Sequence, residues 1–232
     1  MRKIQIKNWK KYTFEFLSIF VAVISAFALN NWNDNRNDRN AENKILTEIK
    51  NGLAKDIEDM RLNELGHKMG IDAVNYFRNI LADKPASKDS MMFHYFNLTR
   101  DFVSAQNISG YETLKSKGLE LIRNDSLRTK IVSLYEYDYN TLRKLEEEYY
   151  ELQFQENYFK EINSLIAQNF EFNQDKMLIG ITTPLKLESD KENIVLIYLM
   201  KIQINRNFIL QYYTEVKQKI EQLQLEIQFE LK

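Results

Sequence analysis

Glu15 opens an apolar run, "EFLSIFVAVISAFALNNW" (15–32), and is the only ionisable residue in it. An ionised carboxylate in hydrocarbon costs several kcal/mol, on the order of 2.5 or more on insertion scales, so it must reach water or face protein. Two chemistries fit. Glu15 can snorkel toward the headgroups and Lys11, one helical turn earlier. Alternatively, Glu15, Ser18, Ala22, Ser25 and Leu29 recur at steps of three and four, forming a small and polar face suited to contact with another membrane helix. Proton transfer would call for a second ionisable group at depth, and the run has none.

The other reactive residues are sparse. His67 and His94 are the only histidines, neither lies in an H-x-x-x-H pattern, and cysteine is absent. That speaks against a metal centre and against thiol chemistry, and the expectation is no metal and no cofactor. The chain has no Walker loop, no G-x-G-x-x-G and no G-x-S-x-G, so nothing marks a nucleotide site or a hydrolase elbow and an enzyme is not expected. Asn97, Asn107 and Asn124 open Asn-x-Ser/Thr triplets of the kind that arise by chance in an Asn-rich sequence. Glu156 and Arg206 interrupt otherwise apolar seams, and a hairpin of the two flanking helices would set them nearly opposite as a buried pair.

The elements that must position these residues are helical. Six glycines and two prolines among 232 residues, with abundant Leu, Ile, Glu, Lys and Gln, predict an all-α fold. Thirty-two basic residues against thirty-three acidic ones leave a net charge of −1, which gives no field for nucleic acid.

Residues 12–32 are long enough, at about 1.5 Å per residue, to cross roughly 30 Å of hydrocarbon as a helix. Trp9 and Tyr12 at one end and Trp32 at the other fall where aromatic rings occupy the headgroup layers. Arg2, Lys3, Lys7, Lys10 and Lys11 precede the run, whereas the basic residues after it are diluted by Asp34, Asp38 and Glu42. This bias keeps residues 1–11 cytoplasmic and places the bulk of the chain outside. A cleaved signal peptide ending at Ala26-Phe27-Ala28 is the rival reading.

Residues 33–44 read as a polar neck and 45–232 as an extracytoplasmic helical domain. Ile45, Ile49, Leu53, Ile57 and Met60 begin an amphipathic helix that reaches Leu65 or Leu81, with Gly66 and Gly70 as bend points and Lys84-Pro85 as a stop. A shorter helix is expected at 89–104, and another closes on Gly118 as its C-terminal cap. Residues 126–170 carry no Gly or Pro and predict one helix approaching ~65 Å. From about Lys191, Leu199, Ile202, Ile209, Tyr213, Val216, Ile220, Leu223 and Ile227 keep a heptad spacing broken by Arg206. The two long helices predict an elongated bundle containing an antiparallel, coiled-coil-like hairpin about residue 180. At its turn, Met177, Leu178, Ile179 and Ile181 either fold back on the bundle or contact a partner.

The exit "ALNNWN" and the later "YETLKSKGLELIRNDSLRTKI" resemble an uncharacterised family of single-span membrane proteins common in Bacteroidetes. The resemblance is carried by Glu15, Asn30, Asn31, Trp32 and Asn33, and by Tyr111, Leu114, Lys115, Ser116, Gly118, Leu119, Leu121, Ile122, Leu127 and Arg128. It covers about a fifth of the chain. Ser18, Ser25 and Phe27 stand where that family usually has Gly or aliphatic residues. The resemblance implies one membrane span at a bacterial inner membrane and no established activity. The expected role is a membrane-anchored periplasmic scaffold or accessory subunit, as a homo-oligomer or with a membrane-protein partner. The alternative is a ligand sensor with a pocket among Phe93, Tyr95, Phe96 and Tyr111.

Overall fold

A computed structural model describes residues 9–232. Arg2, Lys3 and Lys7, and with them most of the expected cytoplasmic segment, lie outside the described residues. Helix α1 runs unbroken from Trp9 to Leu81, 73 residues. From residue 11 to residue 40 its side chains are exposed, and burial begins at Glu42, Ile45 and Leu46. The expected neck is therefore helix, and it grades into the bundle without a joint.

Above Glu42 the chain makes four passes. α1 rises; α2 (Met91–Leu98), an extended strap at 99–108 and α3 (Ser109–Lys117) descend beside it. The chain turns at Gly118, whose φ of +100° suits glycine and whose N–H reaches the Lys115 carbonyl. It rises again through α4 (Asp125–Ser133), a π-helical turn at Leu134–Asp138, α5 (Tyr139–Glu147) and α6 (Lys160–Ile166). Asn124 caps α4 by accepting from the Leu127 N–H at 3.1 Å. A short hairpin, β1 (Phe170–Phe172) with β2 (Leu178–Ile181), forms the far tip, and α7 (Ser189–Glu230) returns the length of the bundle.

The fold is all-α, and the expected antiparallel hairpin is present. Lys130 meets Glu226, Asp138 meets Lys219, and Tyr158 packs edge-on against Tyr198. α7 also runs antiparallel to α1, with Lys217 on Glu64 at 2.6 Å and Lys50 bonded to Gln228. Its inner stripe, from Val195 through Leu199, Ile202, Ile209, Tyr213 and Ile220 to Ile227, is buried along the whole helix.

Two expectations fail, for one reason. The single helix over 126–170 is interrupted at 148–154, where the Asp101 carboxylate accepts from the Phe154 N–H at 2.7 Å and so caps the restarted helix from another pass of the chain. The helix expected over 89–104 stops at Leu98 and becomes the strap. α1 continues as helix through Gly66 and Gly70. A Cβ on Gly66 would lie 2.2 Å from the Phe102 ring, and one on Gly70 would lie 2.2 Å from Arg206 Nε. These glycines let the strap and α7 approach the α1 backbone.

Gly70→Ala is expected to lower stability by roughly 1–3 kcal/mol through overpacking, despite the better helix propensity of Ala. Urea unfolding of the full chain checks this, and a stabilised variant would refute the close-packing account.

Candidate functional site

An extended segment inside a helical bundle has no ladder for its peptide groups, and each buried N–H or C=O left unpaired is costly. In the strap those groups are taken by ionisable side chains from three passes. Amide donors go to carboxylates: Ser104 N to Glu146 Oε2 at 3.1 Å, Ala105 N to Asp59 Oδ2 at 2.8 Å, and Asn107 N to Asp56 Oδ1 at 2.7 Å. Carbonyl acceptors go to a guanidinium. Arg206 Nη2 donates to the carbonyls of Asn97, Leu98 and Arg100 at 3.3, 3.0 and 2.9 Å.

Arg206 is fully buried. Its Nη1 lies 3.1 Å from His67 Nδ1, so Arg206 donates and the His67 proton is assigned to Nε2, which has no partner among the described residues. The guanidinium carbon stands 4.2 Å from the Phe154 ring centroid and 5.9 Å from that of Phe102. Burial pulls Arg206 down to about 9, which leaves it a cation at neutral pH. Burial, with the neighbouring Arg206 charge, holds His67 neutral, down to about 3.

The carboxylates respond in the opposite sense. Burial pushes Asp56 up to about 6, against hydrogen bonds from Tyr139 Oη (2.6 Å) and the Asn107 N–H. Burial likewise raises Glu146 to about 7, against bonds from Tyr213 Oη, Ser104 Oγ and the Ser104 N–H. This arrangement locks chain together. Most of its donors and acceptors are consumed by the fold itself, and His67 Nε2 and Arg206 Nε are buried without a partner among the described residues.

The expected Glu156–Arg206 pair does not form. The hairpin register sets Glu146 against Tyr213 and Glu151 against Asn205, and the break at 148–154 leaves Glu156 exposed at the surface. Arg206 turns instead toward α1 and the strap. His94 is partly buried, stacked on Tyr76 at 4.3 Å, in a different cluster from His67. Of the four aromatic residues considered for a ligand pocket, Tyr95 and Phe96 meet edge-on at 5.3 Å, and Tyr111 lies in a separate cluster. Tyr95 is buried against Phe170 and Asn163, Tyr111 stacks on Tyr135 at 4.5 Å, and Phe93 and Phe96 are exposed.

Within α1, the apolar segment is long enough to cross a membrane, and none of it is buried in the protein. Glu15, Ser18, Ala22, Ser25 and Leu29 all remain exposed, and Glu15 lies 3.9 Å from Lys11 Nζ. Trp9, Tyr12 and Trp32 are exposed at its two ends. At the far tip, β2 buries Ile181 and half-buries Leu178, while Met177 and Ile179 stay exposed with Phe172. One side of that turn thus folds back on the bundle, and the other is bare.

Comparison with family models, with curated proteins and with solved structures returns no match.

Two outcomes test the lock. Arg206→Met leaves three strap carbonyls without their donor and is expected to cost about 3 kcal/mol or more, with Arg206→Lys intermediate because a lysine cannot span the ring nitrogen and the carbonyls together. Thermal unfolding reads both. Glu146 gives a pH signature: the folded protein holds its proton more tightly than the unfolded chain, so its contribution is present below about pH 4.5 and is lost as pH rises through about 7. Relative to Glu146→Gln, the wild type is expected to lose roughly 2–3 kcal/mol between pH 4.5 and 8. A constant difference would show that the carboxyl is not perturbed by burial, and His67 titrates alike in both proteins.

Proposed function

We propose that this chain is a membrane-anchored, non-catalytic helical scaffold or accessory subunit that works through protein contact. Its N-terminus lies in the cytoplasm and its bulk in the periplasm of a bacterium. The reading rests on α7. Opposite its buried stripe, Ile194, Ile197, Met200, Ile204 and Phe208 line the outer face, each between 41% and 56% exposed. A helix apolar on both faces is ordinarily covered on both. Here one face is bare over about four turns, next to Tyr149, whose ring lies 6.5 Å from Phe208.

The continuity of α1 supports the same reading. One helix carries the apolar segment, the polar stretch and the first pass of the bundle, so an association made by the span is passed to the bundle without a hinge. The bare apolar residues at the tip, Phe172, Met177 and Ile179, offer a second contact far from the bilayer. A second copy of the chain is the occupant that α7 favours, because a self-complementary apolar stripe suits a two-fold interface. The sensor alternative has no comparable support, since its aromatic residues fall in separate clusters.

The Ile197→Glu/Ile204→Glu double variant is expected to lower the oligomeric mass of the detergent-extracted protein by light scattering, while thermal stability changes little, as for surface positions. A wild-type chain that is monomeric at all concentrations and co-purifies with no stoichiometric partner would overturn the proposal.

A further inference from the structure

Where α1 leaves its apolar segment, three arginines converge. Trp32, Asn35, Arg36 and Arg39 share one face of α1, and Arg123 reaches them from the corner after α3, enclosing with them a cavity of about 350 Å³. Arg123 is held there by the fold: its N–H donates to Glu42 Oε1 at 2.9 Å, and its Nη2 donates to the Asn35 carbonyl at 3.2 Å. Its Nε lies 3.9 Å from Glu42 Oε2. Arg36 sits over the Trp32 ring at 5.8 Å, and the ion pairs among the described residues include neither Arg36 nor Arg39. Asp34 is turned away, accepting from Asn30 Nδ2 at 2.9 Å. The cavity lining thus holds three arginines and no carboxylate.

Its height is the telling feature. Trp32 closes the apolar run of α1, and Arg36 and Arg39 lie about 6 and 10 Å beyond it along the helix. That is the layer occupied by lipid phosphates outside the hydrocarbon core. Arginine forks match phosphate oxygens in pairs, and basic clusters beside a span attract anionic lipids. The donors are open on one side, which suits a headgroup that its own tails already hold at the surface.

We infer that Trp32, Arg36, Arg39 and Arg123 bind the phosphodiester headgroup of an anionic phospholipid in the leaflet from which α1 emerges. This rests on the membrane insertion proposed above. The test uses the full chain with Trp9→Phe, which leaves Trp32 as its only tryptophan. It is reconstituted in phosphatidylcholine vesicles containing either brominated phosphatidylcholine or brominated phosphatidylglycerol, and Trp32 quenching is compared. The expected result is an association constant for the anionic lipid on the order of tenfold higher. The preference should fall toward unity in Arg36→Gln/Arg39→Gln, whose side chains hold no ion pair in the fold and whose bundle should melt as the wild type does. Equal quenching by both lipids overturns the site while leaving the span intact. No quenching by either overturns the span itself. An arginine-dependent response of Trp32 emission to millimolar inorganic phosphate in detergent, without any lipid preference, would assign the cavity to a soluble anion and overturn the lipid occupant.

Discussion

The architecture depends on one constraint: an extended strap packed within a helical bundle must find partners for its peptide groups. Arg206 donates to the carbonyls of Asn97, Leu98 and Arg100 where α2 gives way to the strap, and Asp56, Asp59 and Glu146 supply acceptors to the amides. The signs are matched to the groups they serve, so the strap is fastened by charge-assisted hydrogen bonds, which are stronger than neutral ones. The interruption at 148–154 follows from the same arrangement, because Asp101 of the strap caps the helix that restarts at Phe154. So do the glycines at 66 and 70, where the strap and the arginine press on the α1 backbone.

This lock also governs how α1 behaves as a mechanical element. Above Glu42 the helix is clamped by the strap and by α7. Below, it continues through Asn35, which Arg123 holds from the corner, into the apolar segment. The apolar segment and the first pass of the bundle are therefore one continuous helix. In the proposed scaffold role, that continuity would tie any pairing within the membrane to the orientation of the outer α7 stripe and of the far tip. The arginines at the exit would add a third tie, to the headgroups themselves.

Much of this was legible from residue pattern. The apolar run with its aromatic ends, the amphipathic start at Ile45, the stop at Lys84-Pro85, the Gly118 cap and the heptads of α7 are local signals, each set by neighbours within a few turns. The antiparallel hairpin follows from two such stripes and a connector. Arg206 was visible as a flaw in a seam, and Gly66 and Gly70 as oddities in a helix. The bare face of α7 was also present in the spacing of Ile194, Ile197, Met200, Ile204 and Phe208, hidden behind the stronger heptad.

The partners of the flaws were not legible. Asp56, Glu146, Tyr139 and Tyr213 sit at ordinary helical spacings, and nothing nearby in the chain distinguishes them from surface or core residues. Arg206 bonds to groups more than a hundred residues away. Glu156, its expected partner, was assigned on the assumption of an unbroken helix, and a cap provided from another pass removed that assumption. Short-range periodicity is a property of the residues alone, whereas the pairing of a buried charge depends on which distant backbone the packed chain brings beside it. The first could be read along the chain; the second existed only once the four passes had closed around the strap.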